Sequence, residues 1–496
     1  MQLVRWLLFA YTLAVQRFLA WLIAACAALL WVLPMHSSLW LDETGTFWIA
    51  RDRISDTIAR AWFWSGQSPF YYLIAWVAVH VGGTSEIILR IPSLLCMGGA
   101  AALLVFTGER LIDRQTGLLG ALVFVCFEET VFAAADARPY ALALLMLVAH
   151  MLMLLRWLER GRFRDAAACV VFAALTVYAH PLFAPGLVAP ALYAMWRSTR
   201  KPAVAALWIA TAVLCLPLAP QLLDFYRDRQ TKTITGTPHG NQFFESLTPA
   251  TATASILAGL LVAYVLIPGI TVRWAADRPK TMLLTAWAAF TPAVYFALAL
   301  FTDIKLFVPR YCLSMAPGLA LLAGCAMRSF APDRARRIMA CALALGAVAA
   351  FGVMARFRHT QQDWRGAMRA VRSVAGGTDM PVLVVSRFVE ASGPAQLEDP
   401  KLKDILFAPL AIYPAAGKVV RLPSSLDEEY LEQVVATVLR NRSSFLMVDF
   451  SDSPVALWLR GRLGAPTVQH LGNFGVVDVR LFRLGANVVP GSGAPR

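Results

Sequence analysis

Long apolar runs fill the first 355 residues, and short polar connections separate them. Runs near the roughly 20 residues that a helix needs to cross a hydrocarbon core lie at 17–35, 91–109, 117–134, 137–157, 165–180, 181–196, 202–222, 251–271, 282–302, 311–328 and 337–355. The pattern predicts about eleven transmembrane helices. The first run reads as a span rather than a cleaved signal, because Arg5 and Arg17 spread its basic flank and no A-x-A site precedes the polar stretch.

One apolar stretch, "SPFYYLIAWVAVHVG" at 68–82, is expected not to cross. Its uninterrupted core is about 12 residues, roughly 18 Å at helical rise, and Tyr and Trp favour the headgroup zone. Residues 36–90 then form one large outer loop. With this count every inside connection is Arg-rich: Arg110 and Arg114; Arg156, Arg160, Arg162 and Arg164; Arg197, Arg200 and Lys201; Arg273, Arg278 and Lys280; Arg328, Arg334, Arg336 and Arg337. The N-terminus is thereby placed inside.

After Arg356 the pattern changes. "QQDWRGAMRAVRSVAGG" and "LDEEYLEQVVATVLRN" read as amphipathic helices, and "PVLVVS" and "SFLMVDF" as buried strands. The predicted architecture is an α-helical polytopic membrane domain over 1–355, a soluble α/β domain over 356–486 on the outer side, and a disordered Gly/Pro tail over 487–496.

Composition agrees with this reading and removes others. The chain is 58% hydrophobic and only 15% charged, which is membrane-protein usage. A net charge of +14 suggests nucleic acid only on a soluble basic face. Here the cations lie between apolar runs, where topology already requires them, so nucleic-acid binding is not expected. The eight cysteines show no CxxC or metal-type spacing.

Polar groups at the outer edges of the spans carry the candidate chemistry. They are Asp42 and Glu43 in "WLDETG", Gln67 and Ser68, Asp136, Arg138 and Tyr140 in "AADARPYAL", His180 in "YAHPLF", the stretch 224–249, and Lys305 and Arg310 in "DIKLFVPRYC". Each has a structural reading as well. Asp42 and Asp136 could cap helices, His180 could be a turn histidine, and Lys305 and Arg310 could snorkel to headgroups. Carboxylates at two outer loops with cations at a third also suit a glycosyl transfer. One carboxylate accepts the proton of an attacking hydroxyl while cations stabilise the departing phosphate.

In order along the chain, "LWLDE", "SPFYYL", "LRIPSLL", "DARPYAL", "YAHPLF", "VPRYCL" and "QDWRGA" resemble the GT-C glycosyltransferases, in the bacterial branch related to protein O-mannosyltransferases and to the aminoarabinose transferases of lipid A. The resemblance implies a polyprenyl-phosphate-sugar-dependent transferase in the bacterial inner membrane. Its active site and C-terminal domain would face the periplasm, and its acceptor would be a hydroxyl on a cell-envelope glycan, lipid or protein.

By the same resemblance Asp42 is the general base, with Asp136 a second catalytic acid and Glu43 a helper. Arg310, Lys305 and Arg138 would hold the donor phosphate, and Tyr140, His180 and Gln67 would line the substrate site. Relatives often carry His or another charged residue before the "PLYY"-like segment, where this chain has Gln67 and Ser68. No required metal is therefore expected, and no cofactor beyond the lipid-linked sugar. A transporter or lipid flippase is the competing class. It calls for midplane ionisable groups and internal repeats, whereas these charges sit at span ends.

Overall fold

Apolar periodicity alone makes a helix, but proline decides how long it runs. The computed structural model describes residues 2–64, 67–227, 236–354, 356, 358–450, 453–464 and 466–484. Among them six helical segments are long and apolar enough to span a bilayer: Leu13–His36, Glu86–Leu111, Tyr140–Arg160, Lys201–Arg227, Arg278–Phe301 and Asp333–Gly352. Two bent pairs, Arg114–Cys126 with Glu128–Ala134 at 73° and Gly240–Leu247 with Ala250–Leu266 at 56°, raise the count to at most eight.

The three remaining runs of the expected eleven are built from shorter pieces. Phe163–Ala179 has 17 residues. Next come a 3₁₀ stretch, Pro181–Leu187, with Pro185 inside it, and the ten-residue helix Val188–Arg197. The segment Cys312–Arg328 also begins as 3₁₀ before Pro317 opens the α-helix. A ring in place of an N–H favours such starts and interrupts longer runs. Pro69–Gly82 is a 14-residue helix, about 21 Å long at helical rise and so short of a full crossing.

The chain divides into two units, residues 1–35 with 53–359 and residues 36–52 with 360–496. In the first, helices approach closely through glycine. A Cβ on Gly117 would run into the Val105 carbonyl oxygen, and one on Gly324 would lie 2.7 Å from the Gly120 nitrogen, so neither position accepts a side chain without separating the helices. Arg90 is fully buried at the start of the Glu86–Leu111 helix. Its Nη1 donates to the carbonyl oxygen of Met35 at 2.8 Å and of Pro34 at 3.4 Å, satisfying carbonyls that a helix end leaves open.

The second unit is built on a five-stranded sheet with β1 at Pro381–Val385, β2 at Lys418–Leu422, β3 at Ser444–Phe450, β4 at Thr467–His470 and β5 at Val477–Arg483. The order is β2-β1-β3-β5-β4. The first three strands are parallel, and β5 runs antiparallel to both β3 and β4. The two strands expected from the sequence are the central β1 and β3, buried along almost their whole length as parallel strands covered on both faces require. The helix Trp364–Ala375 starts where the Asp363 carboxylate accepts the Gly366 N–H at 2.9 Å, an N-cap. Residues 36–52 fold with this unit, and their helix Leu41–Ala50 packs on the short helix Ala408–Ile412. The expected tail at 487–496 lies outside the described residues.

Candidate active site

In the transmembrane unit, the segment that leads into the helix Tyr140–Arg160 carries three of the expected residues. The Arg138 N–H donates to the Asp136 carbonyl at 2.8 Å, closing a tight turn, and Pro139 takes the N-cap position. Asp136 therefore does not cap this helix. Its carboxylate is fully buried, with Oδ1 3.5 Å from Nε2 of His359, whose side chain is also buried and lies against the Phe132 ring at 4.4 Å. His359 is a partner that no motif in the sequence announced.

Arg138 heads a relay. Its Nη1 donates to the Tyr72 hydroxyl at 3.3 Å, and Tyr72 donates to Oε1 of Gln67 at 3.1 Å. The Tyr72 ring meets that of Tyr71 edge-on at 5.8 Å, and the Tyr71 hydroxyl pairs with Ser93 at 3.2 Å. The hydroxyls and rings of "SPFYYL" and "LRIPSLL" thus fix the guanidinium that "DARPYAL" supplies.

His180 sits at the extended turn between Phe163–Ala179 and Pro181–Leu187. Its ring stacks on Tyr140 at 4.8 Å and faces Tyr311 at 6.3 Å. The ring is buried, with the guanidiniums of Arg138 and Arg310 near enough to act on it electrostatically. Its Nδ1 has no hydrogen-bond partner among the described residues. Two cations and a buried imidazole with an unbonded ring nitrogen are suited to an anionic, hydroxyl-bearing ligand.

Arg310 lies in the turn before the 3₁₀ stretch Cys312–Met315, half-buried, its guanidinium 5.3 Å from the Tyr311 ring centre. Its neighbours Pro309 and Cys312 line a cavity of about 470 Å³, whose other walls include Glu129, His239, Gln242 and Glu245. Part of the stretch 224–249 therefore closes over this edge, while its residues 228–235 lie outside the described residues. Glu129 presents a buried Oε2 with no hydrogen-bond partner among the described residues, a carboxylate the sequence reading passed over as part of an apolar run. Lys305 is placed differently from Arg310. Its ammonium donates to the carbonyls of Ala299 and Thr302, which end the helix Arg278–Phe301, as cations at helix C-termini do.

Asp42 and Glu43 belong to the second unit. Asp42 is the second residue of Leu41–Ala50, whose N-cap is Trp40, so it is not the cap either. Glu43 is fully buried, and its Oε2 accepts the Trp40 N–H at 3.1 Å, the carboxylate half of a capping arrangement. The segment before the helix is held by the C-terminal domain. Leu39 N–H donates to the Tyr413 hydroxyl at 2.9 Å, and Leu41 N–H donates to Oε1 of Gln362 at 3.0 Å. Arg365 gives its backbone N–H to Ser38 at 3.1 Å and its guanidinium to the His36 carbonyl at 2.9 Å. "LWLDE" and "QDWRGA", some 320 residues apart in sequence, thus bind one another.

Gln362 also accepts the Trp364 indole N–H at 3.2 Å. Gln362→Leu removes both bonds, a loss of about 1–3 kcal/mol for a part-buried acceptor. The melting temperature is expected to fall accordingly, while Gln362→Glu, which keeps the acceptor, recovers most of it. Thermal unfolding of the two variants checks this, and parental stability of Gln362→Leu would deny Gln362 a part in holding the Asp42 segment.

Residues 66–223 match the family model described as dolichyl-phosphate-mannose-protein mannosyltransferase. No curated protein matches the sequence. Among solved structures, ArnT from Cupriavidus metallidurans in the apo state superposes with a TM-score of 0.59 at 12% identity, covering 94% of this chain and 98% of that one. The fold is that of the GT-C glycosyltransferases. The same ArnT bound to undecaprenyl phosphate gives a TM-score of 0.55, again at 12% identity, over 96% of this chain and 99% of that one. GT-C likeness therefore covers both the helical unit and the α/β domain, while the family match begins at the helix Pro69–Gly82 and ends within the span Lys201–Arg227.

Proposed function

We propose that this protein transfers a sugar from a polyprenyl-phosphate-linked donor to an acceptor hydroxyl on a cell-envelope glycan, lipid or protein, at the outer face of the bacterial inner membrane. The observation that carries the reading is the buried His180, stacked on Tyr140 and facing Tyr311 with Arg138 and Arg310 near it, in a fold matched by a structure holding undecaprenyl phosphate. Arg138 and Arg310 take the phosphate, and His180, Tyr140 and Gln67 orient the sugar. Asp42 accepts the proton of the acceptor hydroxyl, with Asp136 as the second catalytic acid. As the acceptor oxygen bonds to the anomeric carbon, the bond from that carbon to the phosphate oxygen breaks, and its electron pair leaves with the lipid phosphate. Charge grows on the phosphate in that step, and preorganised guanidiniums stabilise it most there.

The reading needs no cofactor beyond the lipid-linked sugar. Proteoliposomes holding the purified chain, offered a panel of polyprenyl-phosphate sugars and envelope acceptors, are expected to release lipid phosphate in step with glycosylated product. Movement of intact donor across the bilayer without any release would make the protein a flippase instead.

A further inference from the structure

The opposite ends of the same helices hold a second polar cavity. It has a volume of about 460 Å³ and is lined by Arg110, Arg160, Arg197, Arg200 and Lys280, with Glu159 as its one carboxylate. These residues come from the ends of Glu86–Leu111, Tyr140–Arg160 and Val188–Arg197, the residue before the Lys201–Cys215 helix, and the first turn of Arg278–Phe301. The Tyr140–Arg160 helix has 21 residues, about 30 Å at helical rise, so a full membrane thickness separates this cavity from Asp136 and Arg138.

Topology alone asks for cations in these connections but not for their convergence. Here four connections aim them into one hollow, and the hollow is built. Glu159 pairs with Arg110 at 2.5 Å, and Asp277 pairs with Lys280 at 3.3 Å and accepts its backbone N–H at 3.0 Å, while acting on Arg197 only from a distance. Among the described residues no carboxylate lies within ion-pair distance of Arg160, Arg197 or Arg200. Arg200 is seated against bare backbone. Gly161 ends its helix at φ +62°, and a Cβ there would lie 2.9 Å from the Arg200 Nη1.

We propose that this cavity binds phosphate carried by the headgroup of an anionic phospholipid. Guanidiniums in a half-enclosed hollow select phosphate over a zwitterionic surface, because planar forks match its oxygens. The flank favours a lipid over a free ion. Leu192, Met195 and Trp196 on the same helix as Arg197 are exposed, Leu192 and Trp196 by more than half, and give acyl chains an apolar path one turn from the cations. Trp157 and Tyr193 in the lining supply aromatic groups at headgroup depth.

The full chain in neutral detergent, titrated with short-chain phosphatidylglycerol, short-chain phosphatidylcholine or inorganic phosphate, is followed by thermal unfolding and by native mass spectrometry. Phosphatidylglycerol is expected to raise the melting temperature and stay bound at concentrations where the other two do neither. Arg197→Gln with Arg200→Gln should weaken that response about tenfold or more, since each such charge contributes about a factor of five. Arg162→Gln with Arg164→Gln, outside the lining, should leave it unchanged, and Lys280→Gln serves if the first pair does not fold. Equal loss in both Arg pairs would make the effect one of diffuse charge, and equal stabilisation by inorganic phosphate would make the ligand a soluble anion. Either result overturns the proposal. None of these readouts uses sugar transfer, so they stand apart from the fate of the transferase reading.

Discussion

Asp42→Asn is expected to lower sugar transfer by about 10²- to 10⁴-fold, the range for loss of a general base, while thermal unfolding stays close to that of the parent protein. The start of this helix is capped and held by other residues. Asp42 is the second residue of its helix and not the cap, Glu43 supplies the capping bond to Trp40, and Tyr413 and Gln362 hold the preceding backbone. Asparagine keeps the volume of Asp42 and removes its ability to take a proton. Single-turnover assays with saturating donor check the step directly. If Asp42→Asn transfers sugar at the parental rate, the base is elsewhere, and Asp136, held by His359 at 3.5 Å, becomes the residue to replace.

Much of the architecture was written in hydrophobic period. Central strands β1 and β3 are continuous apolar runs, "PVLVV" and "SFLMVDF", which is how strands buried on both faces look. The strands that were missed lie outward of them. "KVVRL" and "TVQH" are exposed at several positions, so their pattern is set by an edge environment and resembles a loop. β5 is missed for a different reason, since "VDVRLFR" alternates charge and apolar residues and pairs antiparallel to β3. The second predicted helix begins as expected, with the Asp427 carboxylate accepting the Tyr430 N–H at 2.9 Å, but its α-helix ends at Val434 and continues as a π-helical turn.

The candidate site shows where one-dimensional reading stops. Boundary position was enough to nominate Arg138, His180 and Arg310, because polar groups at span ends stand out against apolar surroundings. Partnership was not. Tyr72 reads in sequence as an interfacial aromatic, whereas its hydroxyl bridges Arg138 and Gln67. Lys305 and Arg310 are five residues apart, and only the lysine reaches the carbonyls that end the helix Arg278–Phe301. Gln362 carried no chemical signal of its own. Its part in holding the Asp42 segment depends on a contact across more than 300 residues, which no local pattern encodes.

Arg310→Lys separates a phosphate ligand from a headgroup anchor. Both side chains carry one charge and reach a similar distance, so snorkelling to a lipid surface survives the exchange. A phosphate grip does not, because only the planar guanidinium offers two parallel N–H donors. Donor KM is expected to rise about tenfold, equivalent to about 1.4 kcal/mol, with acceptor KM unchanged. Arg138→Lys should cost more. Its guanidinium also donates to Tyr72 at 3.3 Å, and a lysine in its place leaves the Tyr72–Gln67 relay without its head, so kcat falls along with donor affinity. Lys305→Ala should leave donor dependence nearly untouched, since its ammonium caps a helix, and show instead a modest loss of thermal stability. Donor-dependence curves for the three variants rank them. Parental behaviour of Arg310→Lys at low donor concentration would return Arg310 to the role of anchor, leaving Arg138 beside His180 as the cation that holds the departing phosphate.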